Sequence, residues 1–92
     1  MAVTVKLPTQ LRDAAGGAAA VAVHGATVGE ALDALYAQHG ELRERMGDAD
    51  GRLRRFVNVY LAGEDIRFLD GLETSVADGD EVTILPAVAG GA

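Results

Sequence analysis

The chain has 92 residues, about half of them apolar, a formal net charge of −6 at pH 7 and no cysteine. That length supports one domain with a core of its own but not two, and the acidic balance repels phosphate backbones and anionic headgroups, so neither nucleic acid nor membrane is an expected partner. Without cysteine there is no disulfide, thiolate zinc site or catalytic thiol within the chain, and any sulfur chemistry must use sulfur brought from outside.

Val3, Val5 and Leu7 alternate with Thr4 and Lys6 before Pro8 closes the run, which predicts a first strand with one buried face. Thr9 to Gly17 reads as a loop, and Ala19 to His24 as a second strand with Val21 and Val23 on one face and His24 on the other. The Gly16-Gly17 pair is consistent with the turn of a hairpin, so these two strands are expected to be antiparallel. Thr27-Val28-Gly29-Glu30 has the form of a capping box, in which the Thr27 hydroxyl accepts from the Glu30 amide while Glu30 reaches back to the Thr27 amide. A helix follows, with Val28, Ala31, Leu32, Leu35 and Tyr36 on one stripe and Gly40 as its C′ residue. Leu42 and Met46, at i and i+4, suggest a further turn or two within 41–46, ahead of a polar loop from Gly47 to Gly51.

Arg54 to Leu61 carries the clearest strand signal: Val57, Val59 and Leu61 share one face, and Phe56, Asn58 and Tyr60 the other. Ala62 to Asp65 reads as a turn, Ile66 to Phe68 as a short edge strand, Asp70-Gly71 as another turn, and Leu72 to Val76 as irregular or one helical turn. Asp78-Gly79 sets up the last strand, in which Val82 and Ile84 alternate with Thr83. Pro86 has no N–H to donate and is expected not to continue the ladder, with the chain leaving the fold after it. This divides the sequence into a domain over 1–86 and a flexible tail over 87–92 that ends Gly-Gly-Ala. Six extended residues span roughly 20 Å, enough to enter a partner's active site while the domain stays outside. An end without chemistry is the ordinary reading of such a tail; the strand directly before it favours a presented one. No apolar run approaches a membrane span, and the N-terminus lacks the basic-then-apolar order of a secretion signal, which makes a cytoplasmic location the expectation.

The order strand, strand, helix, strand, short strand, strand predicts an α+β domain, a mixed sheet of four to five strands covered on one face by one main helix. It resembles the β-grasp fold of ubiquitin, in which the last strand lies mid-sheet beside the first. More specifically, Phe56-Val57-Asn58-Val59-Tyr60-Leu61, Asp65-Ile66-Arg67, the run Asp78-Gly79-Asp80-Glu81-Val82, and Pro86 followed by Gly90-Gly91 are similar to the ThiS/MoaD family of small sulfur carriers, over the whole chain. The ending from Thr83 to Gly91 most resembles the carriers of actinobacterial cysteine biosynthesis.

The resemblance implies a protein co-substrate with no catalytic residues and no bound cofactor. A ubiquitin-activating-type adenylating and sulfurtransferase enzyme uses ATP to adenylate the carboxylate of Gly91, sulfur displaces AMP, and the thiocarboxylate then donates sulfur to an accepting synthase that makes cysteine, a cofactor or a sulfur-containing natural product. Gly90 gives clearance, since a Cβ there would widen the tail where it threads the partner. Family members end in Gly-Gly, whereas here Ala92 follows and leaves Gly91 without a free carboxylate. Either a JAMM-type metallopeptidase removes Ala92, or it is an addition to the natural chain.

Two other functions use the same fold: a ubiquitin-like modifier conjugated to lysines, and a non-reactive β-grasp interaction domain. Phe56 and Tyr60, on one strand face, are a candidate docking patch, because the helix covers only one side of the sheet. His24 and His39 are too few and too separated for a metal site. Glu41, Glu44, Asp48 and Asp50 read as a solvated acidic run, and Arg52, Arg54 and Arg55 as charges guarding a hydrophobic strand.

Overall fold

Five strands form one mixed sheet in the order β2-β1-β5-β3-β4, in a computed structural model that describes residues 1–47, 53–54 and 57–86. They are β1 (Ala2–Lys6), β2 (Ala20–His24), β3 (Val57–Leu61), β4 (Glu64–Asp65) and β5 (Glu81–Pro86). Among the described residues three α-helices, α1 (Thr9–Arg12), α2 (Val28–Gln38) and α3 (Gly40–Met46), accompany them. The first two strands are antiparallel, as the sequence predicts. β5 is central, parallel to β1 and antiparallel to β3.

The period-two alternation of each strand decides which face is buried. Val3, Val5, Val21, Val23, Val57, Val59, Leu61, Val82 and Ile84 all face the helices and are buried. Val28, Ala31, Leu32 and Leu35 of α2 close over them, with Tyr36 packed at the margin. Leu35, Leu42 and Met46 reach zero exposure, each worth roughly 1.5–3 kcal/mol of transfer free energy. Through Leu42 and Met46, α3 is therefore an integral part of the core.

Five expectations need correction. Residues 9–15 are not a loop: α1 continues into a 3₁₀ turn over Asp13–Ala15, ended by Gly16 in the left-handed region at φ 67°. Leu11, Ala14 and Ala15 have helical spacing and pack on the core, while Arg45 ties the segment down through the Gln10 carbonyl and both oxygens of Asp13. In the capping box, Thr27 Oγ1 accepts from the Glu30 amide as expected, but the Glu30 carboxylate accepts from Ala26 N at 2.9 Å rather than from Thr27. Gly40 does not adopt a left-handed cap; it opens α3, with His39 at the junction. Ile66–Phe68 is a 3₁₀ turn, not a strand. The edge strand is Glu64–Asp65, after a turn at Ala62-Gly63 with φ of 51° and 88°, and the Asp65 carboxylate bends the chain by accepting from Arg67 N at 2.9 Å.

The fifth correction concerns Pro86, which is a strand residue, opposite Val57. Ala62 N donates to the Glu81 carbonyl, so by antiparallel alternation residues 81, 83 and 85 direct their amide groups to β3, and 82, 84 and 86 direct theirs to β1. The β1 ladder stops at Lys6, opposite Thr83. The donor that proline lacks would have pointed where there is no strand to receive it.

Candidate functional site

Residues 87–92, expected to form the tail, lie outside the described residues, and β5 ends directly before them. Five register pairs with β3, from Leu61↔Val82 to Val57↔Pro86, hold one edge, and three with β1, from Thr4↔Glu81 to Lys6↔Thr83, hold the other. Val82 and Ile84 are at most 1 % exposed beneath the helices. The strand is thus held on both edges as far as Thr83, on one face through Ile84, and on its β3 edge as far as Pro86, the last described residue. Gly90, Gly91 and Ala92 lie outside the described residues, as does Phe56.

Around this base the open face of the sheet carries the alternate positions. Tyr60 stands opposite Thr83, and Asn58 opposite Leu85. Tyr60 and Asn58 are half-buried, whereas Leu85 is 44 % exposed. Lys6 Nζ lies 3.6 Å from the Glu81 carboxylate across the β1–β5 ladder, both side chains about half exposed.

The Asp65-Ile66-Arg67 motif fixes the neighbouring corner. Asp65 is buried, and Arg67 grips it with Nε and Nη2, the shortest contact being Nη2 to Oδ2 at 2.7 Å. The Arg67 side-chain hydrogen bonds, together with its amide, hold the Asp65 carboxyl below the usual carboxylate range despite the cost of burial. Nη2 of Arg67 also donates to Asn58 Oδ1 at 2.9 Å, which links the turn to the open face beside Leu85. Phe68, next in the chain, is 86 % exposed. Sequence reasoning assigned Phe68 to a strand and gave Leu85 no role, although Leu85 on the open face follows directly from the Val82/Ile84 alternation.

Other sequence candidates lie apart from this base. His24 is exposed at the end of β2, and His39 stands between α2 and α3. Among the described residues, no group of three or more His, Cys, Asp or Glu side chains is arranged to hold a metal ion. Glu41 pairs with Arg45 at 2.9 Å, and Arg54 donates to the Glu44 carbonyl near the end of α3, so these charges brace the helix. No helix among the described residues is long and apolar enough to cross a membrane.

The ThiS family profile matches residues 5–91. The chain belongs to this family. Among its relatives, the sulfur carrier protein CysO of Mycobacterium tuberculosis is 50 % identical over 93 residues, covering 99 % of this chain and all of that protein. Small archaeal modifier protein 3 of Haloferax volcanii is 42 % identical over 66 residues, 72 % of this chain and 71 % of that one. A chain of the Amycolatopsis orientalis BexX/CysO complex superposes with a TM-score of 0.88 at 49 % identity, covering 97 % of this chain and 99 % of its own. The ubiquitin-like β-grasp fold is shared with solved CysO and small archaeal modifier structures, and within the family this chain is a homologue of the sulfur carrier CysO.

Proposed function

We propose that this protein is a sulfur carrier whose Gly91, once it is the terminal residue, is adenylated by an activating enzyme at the expense of ATP and converted to a thiocarboxylate. The observation that carries this reading is the clamped β5 strand six residues before the end of a chain homologous to CysO along its whole length. A rigid base and a short tail leave few degrees of freedom to order when the terminus enters a partner's active site, and proximity of that kind contributes much of the rate in group transfer. The carrier supplies position, and the nucleotide supplies the leaving group. Gly90 keeps the tail narrow, and Tyr60, the described member of the expected Phe56–Tyr60 pair, offers a docking point on the open sheet face. The thiocarboxylate is then spent on a sulfur-accepting synthase in the cytoplasm, and a JAMM-type metallopeptidase exposes Gly91 by removing Ala92. The chain itself holds no cofactor and is not the catalyst.

The test compares chains ending at Gly91 and at Ala92 with a cognate activating enzyme, ATP and a sulfur donor. Mass spectrometry should show one oxygen replaced by sulfur in the Gly91 form only, because a Cβ at the reacting carbon displaces the carbonyl, and small displacements cost about 100-fold in rate. Equal reaction of both forms removes the maturation step. Reaction of neither with its cognate enzyme removes the carrier function. Similarity to the small archaeal modifier protein supports a second reading, conjugation of Gly91 to lysines of other proteins, which lysine adducts in the native cell would establish.

A further inference from the structure

The two edges of the sheet are guarded differently. β4, at one edge, is two residues long and carries Glu64, the short, charged form that resists pairing with another chain. β2, at the other edge, is Ala20-Val21-Ala22-Val23-His24, with no proline, lysine or acid. It lies within the longest stretch of the sequence free of Asp, Glu, Lys and Arg, from Ala14 to Gly29. Leu7 N donates to the Ala19 carbonyl and Gly25 N to that of Met1. By antiparallel alternation residues 19, 21, 23 and 25 therefore face β1, while Ala20, Ala22 and His24 direct their N–H and C=O groups outward. The Gln38 side chain agrees with this, since its Nε2 donates to the Ala22 carbonyl from outside the sheet at 3.3 Å. Among the described residues nothing else is hydrogen-bonded to this edge, and Ala20, Ala22 and His24 are all exposed.

We infer that β2 pairs with β2 of a second copy of this chain, antiparallel about a two-fold axis through Ala22. The outward groups are self-complementary in that register: Ala22 exchanges both of its bonds with Ala22 of the second copy, and Ala20 does so with the second copy's His24. Val21 then stands opposite Val23 of the second copy and extends the apolar inner face. On the open face alanine meets alanine at the axis, with neither bulk nor charge to hold the copies apart. Copies of net charge −6 repel one another, and an approach through the charge-free stretch meets the least of that repulsion. The Gln38 bond does not block pairing, because a carbonyl oxygen has a second lone pair. Two five-residue edges bury less than the roughly 1,200 Å² of a standard interface, so the dimer is weak and reversible. β1 separates β5 from the contact, and the axis points the Pro86 ends of the two β5 strands in opposite directions. Pairing thus leaves the end of β5 uncovered, and the inference is independent of the chemistry proposed for Gly91.

The test is sedimentation velocity with amide exchange on the full chain, from about 10 μM to about 1 mM, where weak association is read. A reversible dimer should form as the concentration rises. Exchange at Ala20, Ala22 and His24 should slow about fourfold across that range for a dissociation constant near about 100 μM, while Val21 and Val23, already bonded to β1, should not change. Ala22→Lys sets like charges face to face on the axis, and its exposed side chain leaves the fold intact; it should be monomeric throughout with an unchanged Tm. Ala22→Pro removes only the outward donor, which an edge strand tolerates, and should also stay monomeric. A wild-type chain that is monomeric at every concentration, a dimer that persists in both variants, or one that protects amides away from the outer edge of β2 overturns the inference.

Discussion

Ile84 and Leu85 are adjacent in sequence and lie on opposite faces of the strand that supports the tail, so truncating each in turn tests how that base is built. Ile84 is 1 % exposed beneath the helices, and Leu85 is 44 % exposed on the open face. Ile84→Ala removes buried atoms and leaves a cavity in the middle of the sheet, a change that costs 2–5 kcal/mol. A loss of about 3 kcal/mol lowers the Tm of a domain this size by about 12–24 °C, and from a total stability of about 5–15 kcal/mol the protein still folds. For Leu85→Ala only the covered part of the side chain counts, which comes to about 1 kcal/mol and a shift of about 4–8 °C. Urea titration should move the midpoint of each variant in that ratio with the slope unchanged. Equal losses, or a larger loss at Leu85, would refute the placement of β5 with its even-numbered residues in the core.

Gly25→Ala places a Cβ 2.7 Å from Ala31 N and 2.9 Å from the Glu30 carbonyl carbon; because these are backbone atoms, a loss of about 1–3 kcal/mol is expected in the same titration. Asp65→Asn removes the partner of Arg67. Because the folded-state pKa of Asp65 is depressed, its contribution is present above the unfolded value of about 3.9 and lost as the pH falls through the folded one. Wild type and variant should therefore differ at neutral pH and converge in acid; a constant difference across the range argues against the ion pair. Burial, reinforced by Asp33 and opposed by Arg43, pushes the Tyr36 hydroxyl from 10.0 up to about 12. Stability should accordingly decline as the pH rises from about 10 to about 12, because the unfolded chain ionises first, and Tyr36→Phe should remove both that decline and the absorbance step near the upper value.

The features legible in the sequence were those with a strict period. Val57, Val59 and Leu61, the Val82/Ile84 pair, and the Val28 to Leu35 stripe each identified a buried face, and their order identified the β-grasp. Misread segments were short and fixed by single side chains or by distant contacts. Nothing local distinguishes Ile66-Arg67-Phe68 from an edge strand until Asp65 is seen capping the Arg67 amide. Residues 9–15 look like a loop unless Leu11, Ala14 and Ala15 are read as a helical trio, and Arg45, which holds them, is more than 30 positions away. Pro86 was misjudged because the direction of its missing donor depends on where β1 ends. The roles proposed for Gly90 and Gly91 rest on family likeness, since their residue types carry no side-chain signal of their own.

The central position of β5 has a consequence for the making of the protein. Before Glu81–Pro86 is synthesised, β2-β1 and β3-β4 are two separate hairpins with no strand between them, and Val57 and Val59 lack the residues that stand opposite them in the finished sheet. The contacts that complete the sheet join opposite ends of the sequence: Ala2 N donates to Asp78 Oδ1 and Thr4 N to the Asp80 carbonyl. Such distant pairings form slowly and only once both ends are free to meet. A nascent chain stalled short of Glu81 is thus an unfinished sheet with open edges, a target for proteolysis rather than a partial carrier. The segment that completes the fold is the one that bears the tail, so a folded copy lacking its tail base is not a product that translation releases.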